Sequence, residues 1–430
     1  MKVKRLKMNS FRGIGDLTLE FPTDEPIVLI GINGVGKSSI LDCLAILLSH
    51  LVAEIQDPRG TGPFSKEQDI KVPRRFFRQE DITNGRENTH NEIASLFDSQ
   101  EVSWVLSFSG VKEQPRSNVR DLDGICLRIK AKLQKDPEFN LPLPVYYHVN
   151  REFCDDIPTP QETHKQYWSA RLGVYEQALT GGRISFKRFF EWFKELEDVE
   201  NELRRDSADY RERHLEAVRK AIASLLPGFS NLRVRRTPLR MTVTKQEQEL
   251  IIDQLSDGEK GLLAMVGDLA RRLAIANPSL PDPLQGSGVV LIDEIELHLH
   301  PKWQREIIPA LTRTFPNCQF IVTTHSPQVI SQVKPDGIYI LERTDDGIVA
   351  RRPESSYGRD TNRILEDLMD TPERPQEIKE SLLELFRLIA KGELDSARQL
   401  HQKIADEIGA DEPELVGASV SIRRREILGR

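Results

Sequence analysis

Cysteine is scarce and scattered in this 430-residue chain: Cys43, Cys126, Cys154 and Cys318 form no C-x-x-C pair. That spacing argues against a disulfide framework or a cysteine zinc site and fits a reducing cytoplasm. No unbroken apolar run approaches the roughly 20 residues that cross a bilayer, so no membrane role is expected. The charged start Met1-Lys2-Val3-Lys4-Arg5-Leu6 leads into no apolar segment, so no signal peptide is read. Positive charge is not in excess either. The net charge of −7 gives no global attraction to nucleic acid, although it leaves room for a local basic groove. Internal repeats and low-complexity stretches are absent. What is present is ordinary for a soluble globular protein: 38% hydrophobic and 30% charged residues, in a chain long enough for one large or two ordinary domains.

The hydrophobic pattern changes along the chain. Pro26-Ile27-Val28-Leu29-Ile30 reads as a buried parallel strand. A glycine-rich turn follows, then a helix from about Ser39 with Ile40, Leu41, Leu44, Leu47, Leu48 and Leu51 on one stripe. From about 56 to 140 the pattern breaks up, with a possible strand at Val102–Phe108. Leu143–Val149 reads as another buried strand, ending at Asn150-Arg151. Residues 160–226 are strongly helical. Phe186, Phe189, Phe190, Phe193, Leu196 and Val199 recur at helical spacing, as expected of a packed lobe rather than a long coiled-coil arm. After 250, Val289–Ile292 and Gln319–Val322 are strand-length apolar runs among helical stretches, which predicts an α/β fold with a parallel, helix-wrapped sheet. The tail from about 360 is helical and polar.

Four motifs carry chemistry. Gly31-Ile32-Asn33-Gly34-Val35-Gly36-Lys37-Ser38 matches G-x-x-x-x-G-K-[ST], between a strand and a helix. Glycines let backbone N–H groups curl around a phosphate, and the helix N-terminus adds partial positive charge. Lys37 suits the β- and γ-phosphates of ATP, the Ser38 hydroxyl suits Mg²⁺, and Ser39 can bond a phosphate. Val289–Ile292 ends in Asp293-Glu294, a pair of carboxylates at the carboxyl end of a central strand, where ligands sit in open α/β sheets. Asp293 is placed to hold Mg²⁺ and Glu294 to activate water. Leu255-Ser256-Asp257-Gly258-Glu259 opens a helix. A hydroxyl beside bare amides there makes either an anion site or an ordinary cap with Ser256 as N-cap. His325, in Ile321–Pro327, follows a strand end and suits a donor to the γ-phosphate.

In order and spacing these motifs resemble those of ABC ATPases, whose signature is Leu-Ser-Gly-Gly-Gln. Lys37 and Ser256 lie 219 residues apart, about twice the gap typical of transporter ATPases. The opening Met8–Ile14 is similar to the strand–turn of the RecF/SMC branch, in which the Arg, here Arg12, lies near the nucleotide. Asp293-Glu294-Ile295-Glu296-Leu297-His298-Leu299-His300-Pro301 resembles a run of OLD-like proteins, with Ile295 in place of the usual Pro. Tyr146-Tyr147 with Arg151, Phe189–Phe193 with Glu197-Asp198 and Glu200-Asn201, and the tail from Ile422 through Leu428 to residue 430 look like the PtuA-like ATPase subunit of Septu or retron-associated systems.

The resemblance implies an ABC ATPase head with ATP and Mg²⁺ as cofactors. It implies a head-to-tail homodimer, or a higher oligomer built from it, in which Ser256 and Gly258 cap the ATP of the second copy. Family logic also places a Gln or Asp that senses Mg²⁺ and the γ-phosphate between glycine loop and signature, for which Gln79 and Asp81 are the candidates. Only 105 residues follow His325 and they hold no Asp-x-Asp pair, so no nuclease of its own is expected. An anti-phage ATPase that governs a partner nuclease, of HNH type or similar, comes first, with retron nucleic acid or DNA as a further partner. A RecF-like DNA clamp and an ATP-stabilised scaffold are the alternatives. The expected organisation is ATPase segments at 1–55, 56–159 and 227–345, an inserted helical lobe at 160–226 and a helical region at 346–430.

Overall fold

The structure, a computed structural model, describes residues 1–57, 74–110, 117–149, 171–182, 184–345 and 347–428. Arg151, Cys154 and the last two residues of the basic tail lie outside the described residues. The chain forms two compact units, Met1–Arg359 and Asp360–Arg430.

The first unit is built on a six-stranded sheet. Its strands are β3 (Ile27–Ile30), β6 (Leu143–Tyr147), β10 (Gly288–Ile292), β11 (Cys318–Thr323), β12 (Ile338–Thr344) and β13 (Gly347–Arg351), in the order β13-β12-β3-β11-β10-β6. All neighbours pair in parallel except β12 with β13. Every residue of β3, β6, β10 and β11 is buried, as strands covered on both faces require.

A second, antiparallel sheet has the order β2-β1-β4-β5, from β1 (Lys2–Asn9), β2 (Leu17–Glu20), β4 (Asn88–Phe97) and β5 (Gln100–Ser109). Gln319 of β11 links the two sheets: its amide accepts from Val3 N–H at 2.6 Å and donates to Val3 C=O at 2.8 Å. Helix α1 (Lys37–Gln56) is packed against β4, β6, β10 and β11, and Trp104 of β5 donates to Leu47 C=O at 3.0 Å. Among the described residues α1 alone is long and apolar enough to cross a membrane. The sequence reading found no such segment. Here the apolar helix is buried in the fold, because both sheets demand an apolar partner.

Helix α2 (Arg120–Lys135) covers α1 and β5. Helices α3 (Phe186–Leu203) and α4 (Arg213–Leu225) pack on α5 (Asp257–Ala276), beside a small sheet of β7 (Phe229–Arg236), β8 (Leu239–Lys245) and β9 (Gln248–Ile251). Phe189, Phe190 and Phe193 of the α3 stripe are buried, but Val199 is 45% exposed. At that end of α3 the buried places belong to Glu197 and Glu200, paired with Arg219 and Arg236. Helix α6 (Pro301–Thr314) and the short α7 (Pro327–Ile330) complete the unit. In the second unit α8 (Thr361–Met369) precedes α9 (Gln376–Lys391), α10 (Leu394–Ile408) and α11 (Pro413–Leu428), which share a core of Leu382, Leu385, Ile389, Ile404, Leu415 and Ile422.

One buried polar network locks α5 to the central sheet. Asp268 accepts from Arg271 at 2.8 Å, Arg272 at 2.6 Å and the Tyr147 hydroxyl at 3.0 Å. Burial by itself would raise the Asp268 carboxyl; Arg272 and Arg271 outweigh it and hold it at about 2, below the ordinary 3.8. Asp268→Asn leaves two buried guanidiniums without a carboxylate and is expected to lower stability by roughly 3–5 kcal/mol in urea unfolding near neutral pH. Because the folded carboxyl is held low, this contribution is full above the unfolded value and fades as pH falls from about 4 toward 2. Equal stability of the two proteins near neutral pH would show that the network does not hold α5.

A candidate nucleotide-binding site

The glycine loop joins β3 to α1. Gly31 has φ 144°, and a Cβ there would lie 2.5 Å from Leu341 C=O. Gly36, at φ 107°, caps α1 in the left-handed region, where other residues are strained. Asn33, Gly34 and Ser38 are exposed, as a loop that meets a ligand must be. Lys37 bends back over the loop, donating to the carbonyls of Gly31 at 2.9 Å and Ile32 at 3.0 Å. Burial draws its pKa down, opposed by Asp293, Glu294 and Glu296. Arg343 of β12 donates to Gly34 C=O at 3.3 Å.

The carboxyl end of β10 faces this loop. Ser38 Oγ donates to Asp293 Oδ1 at 3.0 Å, although the two residues lie 255 positions apart. Thr323 Oγ1 donates to the same oxygen at 2.6 Å and accepts from Glu294 N–H at 2.7 Å. His148 Nε2 is 4.0 Å from Asp293 Oδ2. Glu294 has φ 46°, left-handed for a residue with a Cβ, a conformation that costs about 1–3 kcal/mol and concentrates at functional sites.

Two residues on, Glu296 accepts from Thr324 Oγ1 at 2.7 Å and from His325 N–H at 2.5 Å, tying the histidine loop to the segment after β10. Burial, and then Lys37, lower the His325 pKa below 6.5 against the pull of Glu296, Glu294 and Asp293. The imidazole is therefore neutral at pH 7, with one ring N–H to donate.

Arg12 sits at φ 49° beside the first turn of α1. It bonds Asp81 at 3.0 Å, Asp42 at 2.8 Å and Ser39 Oγ at 3.4 Å. Gln79 and Asp81 part ways: Asp81 is buried against Arg12, whereas exposed Gln79 lays its carboxamide over Gly110 at the end of β5. Ser256 caps α5. Its N–H and Oγ both donate to Glu259 Oε2, at 3.0 and 2.9 Å, and none of its hydrogen bonds reaches the glycine loop of the same chain. A Cβ on Gly258 would lie 2.2 Å from His298 C=O, so only glycine lets this turn close on the segment after Glu294.

A family model described as AAA domain, putative AbiEii toxin, Type IV TA system, matches residues 27–331. The chain belongs to that family. It carries its motifs in the order of ABC-type ATPases, and its curated relatives include retron probable ATPases. The ATPase is 30% identical to the retron Ec83 probable ATPase of Escherichia coli, over 99% of this chain and 87% of that protein. The retron Vc95 probable ATPase of Vibrio cholerae serotype O1 biovar El Tor is 28% identical, over 92% and 85%. Septu protein PtuA of Bacillus thuringiensis is 26% identical, over 86% and 85%. Among solved structures, the SMC head domain from Thermotoga maritima is 15% identical with a TM-score of 0.44, over 82% of this chain and 100% of that one.

The structure thus brings Lys37, Ser38, Asp293, Glu294 and His325 to one end of the central sheet, with Arg12 and Ser39 at its flank. It leaves Ser256, Gly258 and Gln79 outside that cluster. It also adds residues that sequence reasoning passed over. Thr323 was visible as a hydroxyl at a strand end, but its neighbour across the sheet becomes known only from the β10–β11 register, Ile292 beside Val322. Glu296 carried no signal of its bond to the histidine loop. Thr323→Val removes the bonds that orient Asp293 and Glu294 and is expected to slow ATP turnover roughly 10–100-fold while ATP still binds. Steady-state phosphate release with a direct ATP titration checks this; wild-type turnover would remove Thr323 from the site.

Proposed function

We propose that this ATPase binds and hydrolyses Mg²⁺-ATP between two head-to-tail copies, and that the resulting switch governs a partner nuclease in anti-phage defence. The hydrogen bond from Ser38 to Asp293 carries the reading: it sets a hydroxyl and a carboxylate side by side at the mouth of a glycine loop.

These are hard oxygen donors of the kind Mg²⁺ takes, one or two from protein and the rest from phosphate and water. Such a site needs no cluster of three protein ligands, and among the described residues there is none. Mg²⁺ held by Ser38 and Asp293 would neutralise charge on the β- and γ-phosphates. Lys37 would exchange the carbonyls of Gly31 and Ile32 for phosphate oxygens. Glu294, fixed through its N–H on Thr323, would take the proton of the attacking water. Neutral His325 would donate to the γ-phosphate. Between the two sensor candidates, buried Asp81 is linked through Arg12 to Ser39 at the loop, which favours it over Gln79.

Ser256 and Gly258 would act on the ATP of the second copy, a two-fold arrangement in which each signature turn meets its neighbour's glycine loop. Loss of the γ-phosphate would remove the contacts to Lys37, His325 and the neighbour's Ser256, and so open the dimer. The retron and Septu relatives support a defence role.

Glu294→Gln is expected to keep ATP binding, to lose turnover by about 10²–10⁴-fold, and to accumulate as a dimer with ATP. Phosphate release and light scattering across ATP concentrations measure both. Equal, slow turnover by wild type and variant would overturn the hydrolytic role and leave an ATP-stabilised scaffold.

A further inference from the structure

The signature turn carries an electrostatic contradiction. A turn that receives a γ-phosphate is served by neutral donors, yet this one places Asp257 and Glu259 on either side of Gly258. Asp257 is exposed and lies 3.8 Å from Lys260. Glu259 is 6% exposed, and both donors of Ser256, N–H and Oγ, point at its Oε2. The Ser256 hydroxyl is thus occupied by a carboxylate from its own helix.

Lys245 resolves this. It ends β8, and its ammonium meets Glu259 Oε1 at 2.5 Å. The same ammonium lies 5.7 Å from the centre of the Phe229 ring, on the neighbouring strand β7. Burial would raise the Glu259 carboxyl; Lys245 and then Ser256 overcome that and hold it ionised. A buried carboxylate that loses a donor pays the desolvation cost of that group. With Lys245 in place, Glu259 keeps the ammonium and the Ser256 N–H when the hydroxyl turns away, so release of the hydroxyl is cheap. The ammonium also offsets a negative charge that would otherwise repel the incoming phosphate.

We propose that Lys245 is a positioning residue for the signature turn, holding Glu259 so that the Ser256 hydroxyl is free to bind the γ-phosphate of ATP carried by a second copy. This rests on the dimer reading above. It makes the small β7–β9 sheet part of the ATP-sensing apparatus, because β9 leads through one short 3-10 turn, Ile252–Gln254, into the signature turn.

The test is a double-mutant cycle on Glu294→Gln protein, with ATP-dependent dimerisation read by light scattering and sedimentation. Lys245→Ala is expected to weaken dimerisation at least about tenfold, because it leaves the buried Glu259 carboxylate without its half-buried cation. In a Glu259→Gln background, where no charge remains to be held, the same change is expected to alter dimerisation by less than about twofold. ATP affinity of dilute monomer and melting temperature serve as the structural readouts, since a merely folding-related role would move both. A Lys245→Ala dimer as tight as its parent, or an equal loss in both backgrounds, overturns the inference while the dimer reading stands. Glu294→Gln protein that stays monomeric at saturating ATP overturns the dimer reading itself, and this inference with it.

Discussion

The hydrogen bond from Ser38 to Asp293 joins the first turn of α1 to the end of β10, and the geometry of the site follows from it. It can form only because β3 and β10 both flank β11 in one parallel sheet, so their carboxyl ends emerge on the same edge. The bond is then fixed from the side. Thr323, the last residue of β11 and one step beyond its final pair with β10, bridges the Asp293 carboxylate and the Glu294 N–H. A residue held in the left-handed region, as Glu294 is, persists only where its surroundings leave it no alternative.

Around that bond the protein alternates hard and soft constraint. The apolar strands and the largely apolar α1 form a core held chiefly by packing. Helix α5 adds charge to its buried apolar face, through the Asp268, Arg271, Arg272 and Tyr147 network at its middle and Glu259 and Lys245 at its start. These charged anchors differ from the packing around them. Their strength depends on which donors are present, whereas apolar packing has no such dependence.

Legibility in the sequence followed the same division. The glycine loop, the strand ending in Asp293-Glu294 and the buried runs of β3, β6, β10 and β11 were readable, because burial on both faces leaves an unbroken apolar run and phosphate chemistry demands fixed spacings. Strand β4 was not read: its first five residues, Asn88-Thr89-His90-Asn91-Glu92, are polar, and they are held by pairing to β1 and β5 rather than by their own pattern. Helix α2 was missed for a similar reason, since its charged face is broad and only Leu122, Ile125, Cys126 and Ile129 carry the apolar stripe. The α3 stripe was legible as far as Phe193, after which buried carboxylates replace apolar side chains, a pairing that depends on Arg219 and Arg236 far along the chain.

The sequence by itself determined that a glycine loop of phosphate-binding spacing, an acidic strand end and a helix-capping Ser-Asp-Gly-Glu turn exist in this chain, because each is a local arrangement of backbone and spacing. Which groups meet was decided only by the tertiary structure. Thr323 beside Asp293, Glu296 on the histidine loop, Arg12 locked between Asp42 and Asp81, and Lys245 on Glu259 are all contacts across sheets or between distant segments. Strand register and helix docking set such contacts, and both are properties of the whole packed core rather than of any stretch of residues within it.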